Sequence, residues 1–329
     1  MTDPGITEIG LVKEKDYEKT MNSLVLPWLR SREQVIHPET EPGKQLYVCR
    51  LDAEKPRGTV VLVHGFTENA EKFSELAFSL LQNGWSVVAY DQRGHGRSWR
   101  DPRAKKDPSL VHVDHFEEYV SDLETICSQV AGKMPGPRMV FSHSMGGAVT
   151  ALYMEKHPET FARAVFCAPM IACSRNGAPE AMARAMCMTA KLLGLGTRRI
   201  PMSRPYSQKE AFETSCASGK ERFEWYEDLR IKTPEFQDNG PSFSWTLEAF
   251  NVTKKILAPG EVEKISVPVR VSGAENDTTV IGEDQQAFAD RLKNGTRKVI
   301  AGAKHEIYRS PDRVLYPWWN EILTFFGEE

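Results

Sequence analysis

A chain of 329 residues with 40 % hydrophobic and 26 % charged residues has the composition of an ordinary globular protein, not of a disordered or fibrous one. Its formal net charge of −3 excludes the strongly basic footprint of a nucleic-acid binder, so no nucleic-acid partner is expected. The length exceeds the roughly 250–300 residues that one simple core holds, which predicts one large domain carrying an insertion.

Residues 1–20 lack the basic start and apolar run of a signal peptide. No segment approaches the ~20 apolar residues of a membrane span. The six cysteines, Cys49, Cys127, Cys167, Cys173, Cys187 and Cys216, show neither C-x-x-C spacing nor histidines that complete a zinc pattern. They read as reduced thiols of a cytoplasmic protein, with no metal and no cofactor expected. Peripheral contact at the inner face of the membrane is compatible with all of this.

Residues 1–44 read as an extension whose Leu24, Leu26, Trp28 and Leu29 pack on the domain surface. Residues 59–63 (TVVLV) form an unbroken β-rich run, and a helical pattern over 71–82 ends at Asn83-Gly84. A second strand follows at 86–90. Asp114 caps a helix through residue 130, with Phe116, Tyr119, Val120, Leu123 and Ile126 on one face. Strands at 138–141 and 164–167 flank a helix that begins near Met145. Strands apolar on both faces and separated by helices predict a mostly parallel α/β sheet buried between helix layers.

That rhythm stops at Pro169. Residues 171–264 are helical and irregular, without a convincing strand, and strand signals resume at 267–271 and 297–300. The expected organisation is an α/β core over 45–170 and 265–329, interrupted by a helical cap over 171–264.

The chemistry concentrates where strands end. Ser142-His143-Ser144-Met145-Gly146-Gly147 lies between a predicted strand and a predicted helix, the setting of a G-x-S-x-G nucleophile elbow. A serine there sits on a sharp turn that leaves room only for small residues two positions to either side. Gly146 satisfies this, whereas Ser142 stands where a glycine is expected. Serine needs a base, and histidine titrates in the right range. His305, shortly after the last strand, follows the serine as the fold's order of serine, acid, histidine requires. Of the other histidines, only His157 also follows Ser144, and it reads as a surface helix end. The acid belongs after the strand at 267–271, where Asp277 is preferred for the valine three residues later, with Glu275 in reserve. The oxyanion formed in acyl transfer needs two backbone donors. Met145, directly after the serine, and Phe66, in the His64-Gly65-Phe66 turn, are the candidates. A second glycine-rich turn, residues 90–98, is expected to brace that loop.

Taken together, His64-Gly65-Phe66, Asp91-Gln92-Arg93-Gly94-His95-Gly96-Arg97-Ser98, His143-Ser144-Met145-Gly146-Gly147 and Gly302-Ala303-Lys304-His305 resemble the α/β-hydrolase superfamily, in its bacterial lysophospholipase and monoacylglycerol lipase branch. Trp225 to Trp245 is similar to that branch as well. The resemblance implies a serine hydrolase that cleaves an ester bearing one acyl chain, with a small-molecule or lipid ester as partner. The same triad also serves esterases, lactonases, peptidases and acyltransferases, and the scaffold also serves ligand binding without turnover. Within the cap, a methionine- and leucine-rich helix from about residue 179 offers Met182 and Met186 as substrate-binding candidates, alongside Met188, Leu192, Leu193 and Leu195. The basic stretch Arg97, Arg100, Arg103, Lys105 and Lys106 is a candidate for anionic headgroups.

Overall fold

In the computed structural model, which describes residues 3–104, 106–173 and 179–328, the apolar runs pair side by side. The strands are β1 (Gln34–Ile36), β2 (Glu39–Glu41), β3 (Lys44–Gln45), β4 (Val48–Leu51), β5 (Gly58–Val63), β6 (Trp85–Tyr90), β7 (Arg138–His143), β8 (Arg163–Cys167), β9 (Val269–Ala274) and β10 (Gly295–Ile300). Eight of them make one sheet in the order β1-β4-β6-β5-β7-β8-β9-β10, and β2 pairs with β3 separately. From β6 to β10 the neighbours run parallel, while β4 lies antiparallel to β6 and β1 antiparallel to β4.

The helices are α1 (Tyr17–Thr20), α2 (Leu26–Arg30), α3 (Ser74–Gln82), α4 (Glu117–Gln129), α5 (Met145–Lys156), α6 (Glu180–Leu192), α7 (Lys220–Lys232), α8 (Phe243–Ile256), α9 (Gly282–Arg291) and α10 (Asp312–Gly327). Because side chains alternate along a strand, β5 serves both faces of the sheet. Val61 and Val63 enter one core with Phe116, which directly precedes α4, and with Ala148, Val252 and Phe288, from α5, α8 and α9. Val60 and Leu62 enter the other with Leu76, Leu80, Trp319 and Phe326, from α3 and α10. Each such fully buried side chain stabilises the fold by about 1.5–3 kcal/mol.

The N-terminal segment joins the second core through Met21, Val25 and Leu29, with Leu26 and Trp28 partly buried against it and Leu24 half-buried. One part behaves otherwise than expected: Gln34–Ile36 is the edge strand of the main sheet rather than a surface extension. Three residues are too few to show an alternation; the strand is held by backbone pairing with β4 and by Ile36, which packs against the first core. Between β8 and β9 the described residues contain α6, α7 and α8 and no strand of the sheet. Residues 174–178 of the expected cap, and Lys105 of the basic stretch, lie outside the described residues. Among the described residues no helix is long and apolar enough to cross a membrane.

Parallel strands place their carboxyl ends along one edge. The turns after β5, β7, β9 and β10 therefore converge there, and each carries a residue singled out from the sequence.

Candidate active site

Strand β7 ends at His143 and α5 begins at Met145, which leaves Ser144 alone to reverse the chain, at φ 50° and ψ −118°. That conformation costs a non-glycine residue about 1–3 kcal/mol and persists only where its surroundings enforce it. Here the Ser144 N–H donates to the Cys167 carbonyl (3.1 Å), and its own carbonyl accepts from Met170 (2.8 Å). Gly146 is obligatory because a side chain there would drive into the Val63 and His64 carbonyl oxygens. The serine at position 142 is accommodated: it is fully buried, and its hydroxyl donates to the Val165 carbonyl on β8 at 3.2 Å.

The Ser144 hydroxyl lies 2.9 Å from His305 Nε2, and His305 Nδ1 lies 2.8 Å from Asp277 Oδ2. The other carboxylate oxygen of Asp277 accepts the N–H groups of Thr279 (2.8 Å) and Val280 (3.1 Å), which fixes its plane. Burial pushes this carboxyl up, but the His305 hydrogen bond and charge and the two N–H donors outweigh it and hold it below the ordinary carboxylate range. An ionised Asp277 obliges Nδ1 to carry the proton, leaving Nε2 free to accept one from serine. Glu275 is exposed and turned away, accepting the Gly302 N–H at 2.8 Å.

The loop after β5 presses against the serine. A Cβ on Gly65 would stand 3.0 Å from the Ser144 Cβ, so only glycine brings this backbone so close. Its N–H donates to Glu68 Oε2 at 2.6 Å. Among the described residues no acceptor is found for the Phe66 N–H or for that of Met145, which opens α5 and has no carbonyl one turn earlier. The glycine-rich turn over 90–98 does brace this loop. The Gln92 N–H donates to His64 Nε2 (2.8 Å) and its amide to the His64 carbonyl (2.6 Å), so His64 Nδ1 donates onward to the Gly65 carbonyl. His95 packs edge-on against His64 and Phe66.

Beneath these loops lies a buried ionic network that the sequence analysis did not single out. Glu68 accepts from His143 Nδ1 (2.9 Å), Lys72 Nζ (2.9 Å) and the Tyr308 hydroxyl (2.6 Å). Lys72 also pairs with Glu306 (2.6 Å), and Glu306 with Arg309 (2.6 Å). Burial raises Glu306, yet Lys72 and Arg309 outweigh it and bring its carboxyl down to about 2. Burial disfavours a charged His143, but the adjacent Glu68 outweighs it and raises the imidazole. The second ring nitrogen of His143 faces the His305 carbonyl at 3.3 Å, an acceptor that also favours the protonated ring. The visible signal was spacing alone: Glu68 and Lys72 stand four apart, Glu306 and Arg309 three apart.

Ser144 and His305 open on a cavity of about 560 Å³ that also exposes Phe66, Arg204, Lys209, Glu210, Tyr226, Glu227 and Arg230. Met182 and Met186 do not line it. The inner side of α6 is taken by Cys187 and Ala190, which leaves Met182 63 % exposed to solvent and Met186 half-buried. In the basic stretch, Arg97 is held by Asp91 and Glu71, Arg100 by Asp238, and Arg103 by Asp101 and Asp114. Those charges are already neutralised within the protein.

Residues 54–312 match the family model described as serine aminopeptidase, S33. A probable lysophospholipase L2 of Haemophilus influenzae is 28 % identical over 261 residues, covering 78 % of this chain and 80 % of that protein. A monoacylglycerol lipase of Mycolicibacterium smegmatis is 32 % identical over 263 residues, covering 79 % and 85 %. The crystal structure of Paleococcus ferrophilus monoacylglycerol lipase superposes with a TM-score of 0.65 at 25 % identity, covering 85 % of this chain and 97 % of that one. The chain belongs to the serine aminopeptidase S33 family and is a serine hydrolase of the α/β-hydrolase fold.

Proposed function

We propose that this hydrolase cleaves the carboxylic ester of a lipid with one acyl chain, a lysophospholipid in preference to a monoacylglycerol, through an acyl-enzyme on Ser144. The observation that carries this reading is the unbroken relay from Ser144 Oγ through His305 to Asp277 at the floor of the cavity. His305 Nε2 takes the hydroxyl proton as Oγ attacks the ester carbonyl, and Asp277 stabilises the imidazolium that forms. The N–H groups of Met145 and Phe66 receive the oxyanion, each donor contributing about 3–4 kcal/mol. His305 then protonates the departing glycerol oxygen, and a water activated by the same nitrogen releases the fatty acid and restores Ser144. The names of the H. influenzae and M. smegmatis relatives support a lipid ester.

The preference for a lysophospholipid rests on the charged lining. A monoacylglycerol is neutral and has no use for cations, whereas Arg204, without an acidic side-chain partner among the described residues, suits a phosphodiester. The cytoplasm is the compartment we assign, supported by six cysteines that are all free thiols. The test is a panel of lysophosphatidylcholine, monooleoylglycerol, p-nitrophenyl esters of rising chain length and aminoacyl p-nitroanilides, run on wild type and Ser144→Ala. Fatty-acid release from the lipids, lost in the variant, is the expected result. Turnover that survives in Ser144→Ala, or that is confined to short esters or anilides, overturns the proposal.

A further inference from the structure

Three residues of the loop that leads into α4 bring their side chains together. Asp101 Oδ2 lies 3.8 Å and Asp114 Oδ1 3.5 Å from His112 Nε2, and the three groups offer atoms that all lie within 4.8 Å of one another. The His112 side chain is 1 % exposed, and its Nε2 has no hydrogen-bond partner. Buried ring nitrogens are ordinarily satisfied, so one left over calls for an explanation. The other nitrogen is fixed: Nδ1 lies 2.8 Å from Ser242 Oγ, which also accepts the Trp245 N–H. A ring that donates its Nδ1 proton to Ser242 turns the Nε2 lone pair toward the carboxylates. Burial lowers the pKa of this imidazole despite the neighbouring carboxylates, so the ring is neutral at pH 7.

Charge and spacing identify the occupant. Arg103 reaches both carboxylates but sets one positive charge against two negative ones, and it leaves Nε2 without a partner. Its side chain is 56 % exposed, so it can swing into water without opening a void. A divalent ion balances both carboxylates and takes the nitrogen as well. Donor atoms about 2.0–2.2 Å from a tetrahedral ion stand roughly 3.3–3.6 Å apart, close to the separations at His112. One imidazole with two carboxylates suits zinc rather than calcium or magnesium, which take oxygen ligands. The Nδ1 contact to Ser242 is the outer hydrogen bond that orients a ligating histidine. We propose that Asp101, His112 and Asp114 bind a zinc ion, which displaces Arg103 as their counter-charge. Water supplies the fourth ligand on the Asp114 side, where the side chain is 38 % exposed.

The site lies on a seam. Residues 109–112 run beside residues 239–242 at the start of α8. The Asn239 N–H donates to the Ser109 carbonyl (2.7 Å), that of Val111 to Gly240 (3.0 Å) and that of Ser242 to Val111 (3.0 Å). Zinc therefore fastens His112, and through Ser242 the N-terminus of α8, to the loop entering α4. The inference is independent of the substrate. No pair of cysteines or histidines marks the site in the sequence.

The experiment is calorimetric titration of zinc into the full chain at pH 7, comparing wild type with Asp114→Ala, His112→Gln and Arg103→Gln. Wild type is expected to bind one equivalent with micromolar or tighter affinity. Asp114→Ala and His112→Gln should each weaken that equivalent at least about tenfold, the least that loss of even an outer-shell partner costs. Arg103→Gln should tighten it, because the competing cation is gone. Zinc should also raise the thermal midpoint of wild type but not of Asp114→Ala, whose partly exposed side chain can be removed without disturbing the core. Equal binding by wild type and Asp114→Ala overturns the proposal, since thiols or other histidines would then be the ligands. So does the absence of binding by wild type, or binding that appears only in Arg103→Gln; either makes Arg103 the permanent counter-charge.

Discussion

The carboxyl edge of the sheet and helix α6 follow opposite rules. At the edge, ionised groups are drawn inside: Glu68, Lys72, His143, Glu306 and Arg309 are buried and answer one another within 2.6–2.9 Å. At α6, apolar groups are turned out, with Leu192 86 % exposed. Neither arrangement is what stability alone would select. Burying an ion costs several kcal/mol even when it is paired, and an exposed leucine forgoes the 1.5–3 kcal/mol or so that burial would return. The first region accepts that cost to fix backbone and ring positions around Ser144 before substrate arrives. The second leaves apolar side chains in water on a helix whose basic residues turn inward.

The edge is tested first at its nucleophile: Ser144→Ala should lower kcat by about 10⁴–10⁶. Next in size is the acid. Asp277→Asn should cost about 10⁴ in kcat, because the amide imposes the wrong tautomer on His305. Glu275→Gln should leave turnover nearly unchanged, since its carboxylate only accepts the Gly302 N–H. Initial-rate kinetics on one p-nitrophenyl ester distinguishes the two.

The buried network makes a prediction about stability rather than chemistry. Glu306→Gln leaves Lys72 and Arg309 under-compensated and should cost about 3–5 kcal/mol in urea unfolding at neutral pH. Glu306 titrates at about 2 in the folded chain against about 4.3 unfolded. Its contribution is therefore present above the unfolded value and lost as the pH falls toward about 2. His143, raised in the folded state, has the opposite sign: its contribution is complete below about 6.5 and disappears as the pH rises through the folded value. Thermal unfolding followed downward from about pH 5 should fall more steeply for wild type than for Glu306→Gln. Parallel slopes would show that Glu306 is not held ionised by its partners.

What could be read from the sequence follows the same division. The strands were visible because the sheet is buried on both faces, so β5 to β8 appear as continuous apolar runs, and parallel order then sends Ser144, Asp277 and His305 to one edge. The preference for Asp277 over Glu275, which stand in one short turn, rested on a single mark, the valine three residues later. The choice itself depends on which carboxylate the Thr279 and Val280 N–H groups capture. The network was missed because spacing cannot tell a buried Glu68–Lys72 pair from a solvated one. The edge strand Gln34–Ile36 was missed because three residues, although two of them are β-branched, are too short a run to show a period. Met182 and Met186 were offered as substrate-binding candidates because methionine-rich faces adapt to apolar ligands. Periodicity locates a stripe but not the side from which the protein approaches it, and on α6 the stripe looks out.

The smallest expected effect concerns Ser142, which stands where an elbow glycine is usual. Its hydroxyl donates to the Val165 carbonyl, tying β7 to β8 two residues before Ser144. Ser142→Gly removes one neutral hydrogen bond and adds unfolded-state freedom, a loss of about 1–2 kcal/mol. The angles at Ser144 are set elsewhere, by Cys167 and Met170 across the turn and by Gly146 against Val63 and His64. Turnover should therefore stay within about twofold, because no donor or base in the relay has moved. A large drop in kcat with unchanged thermal stability would locate the constraint on the serine in β7 itself, and the edge would then be preorganised from its strand rather than from the loops that close over it.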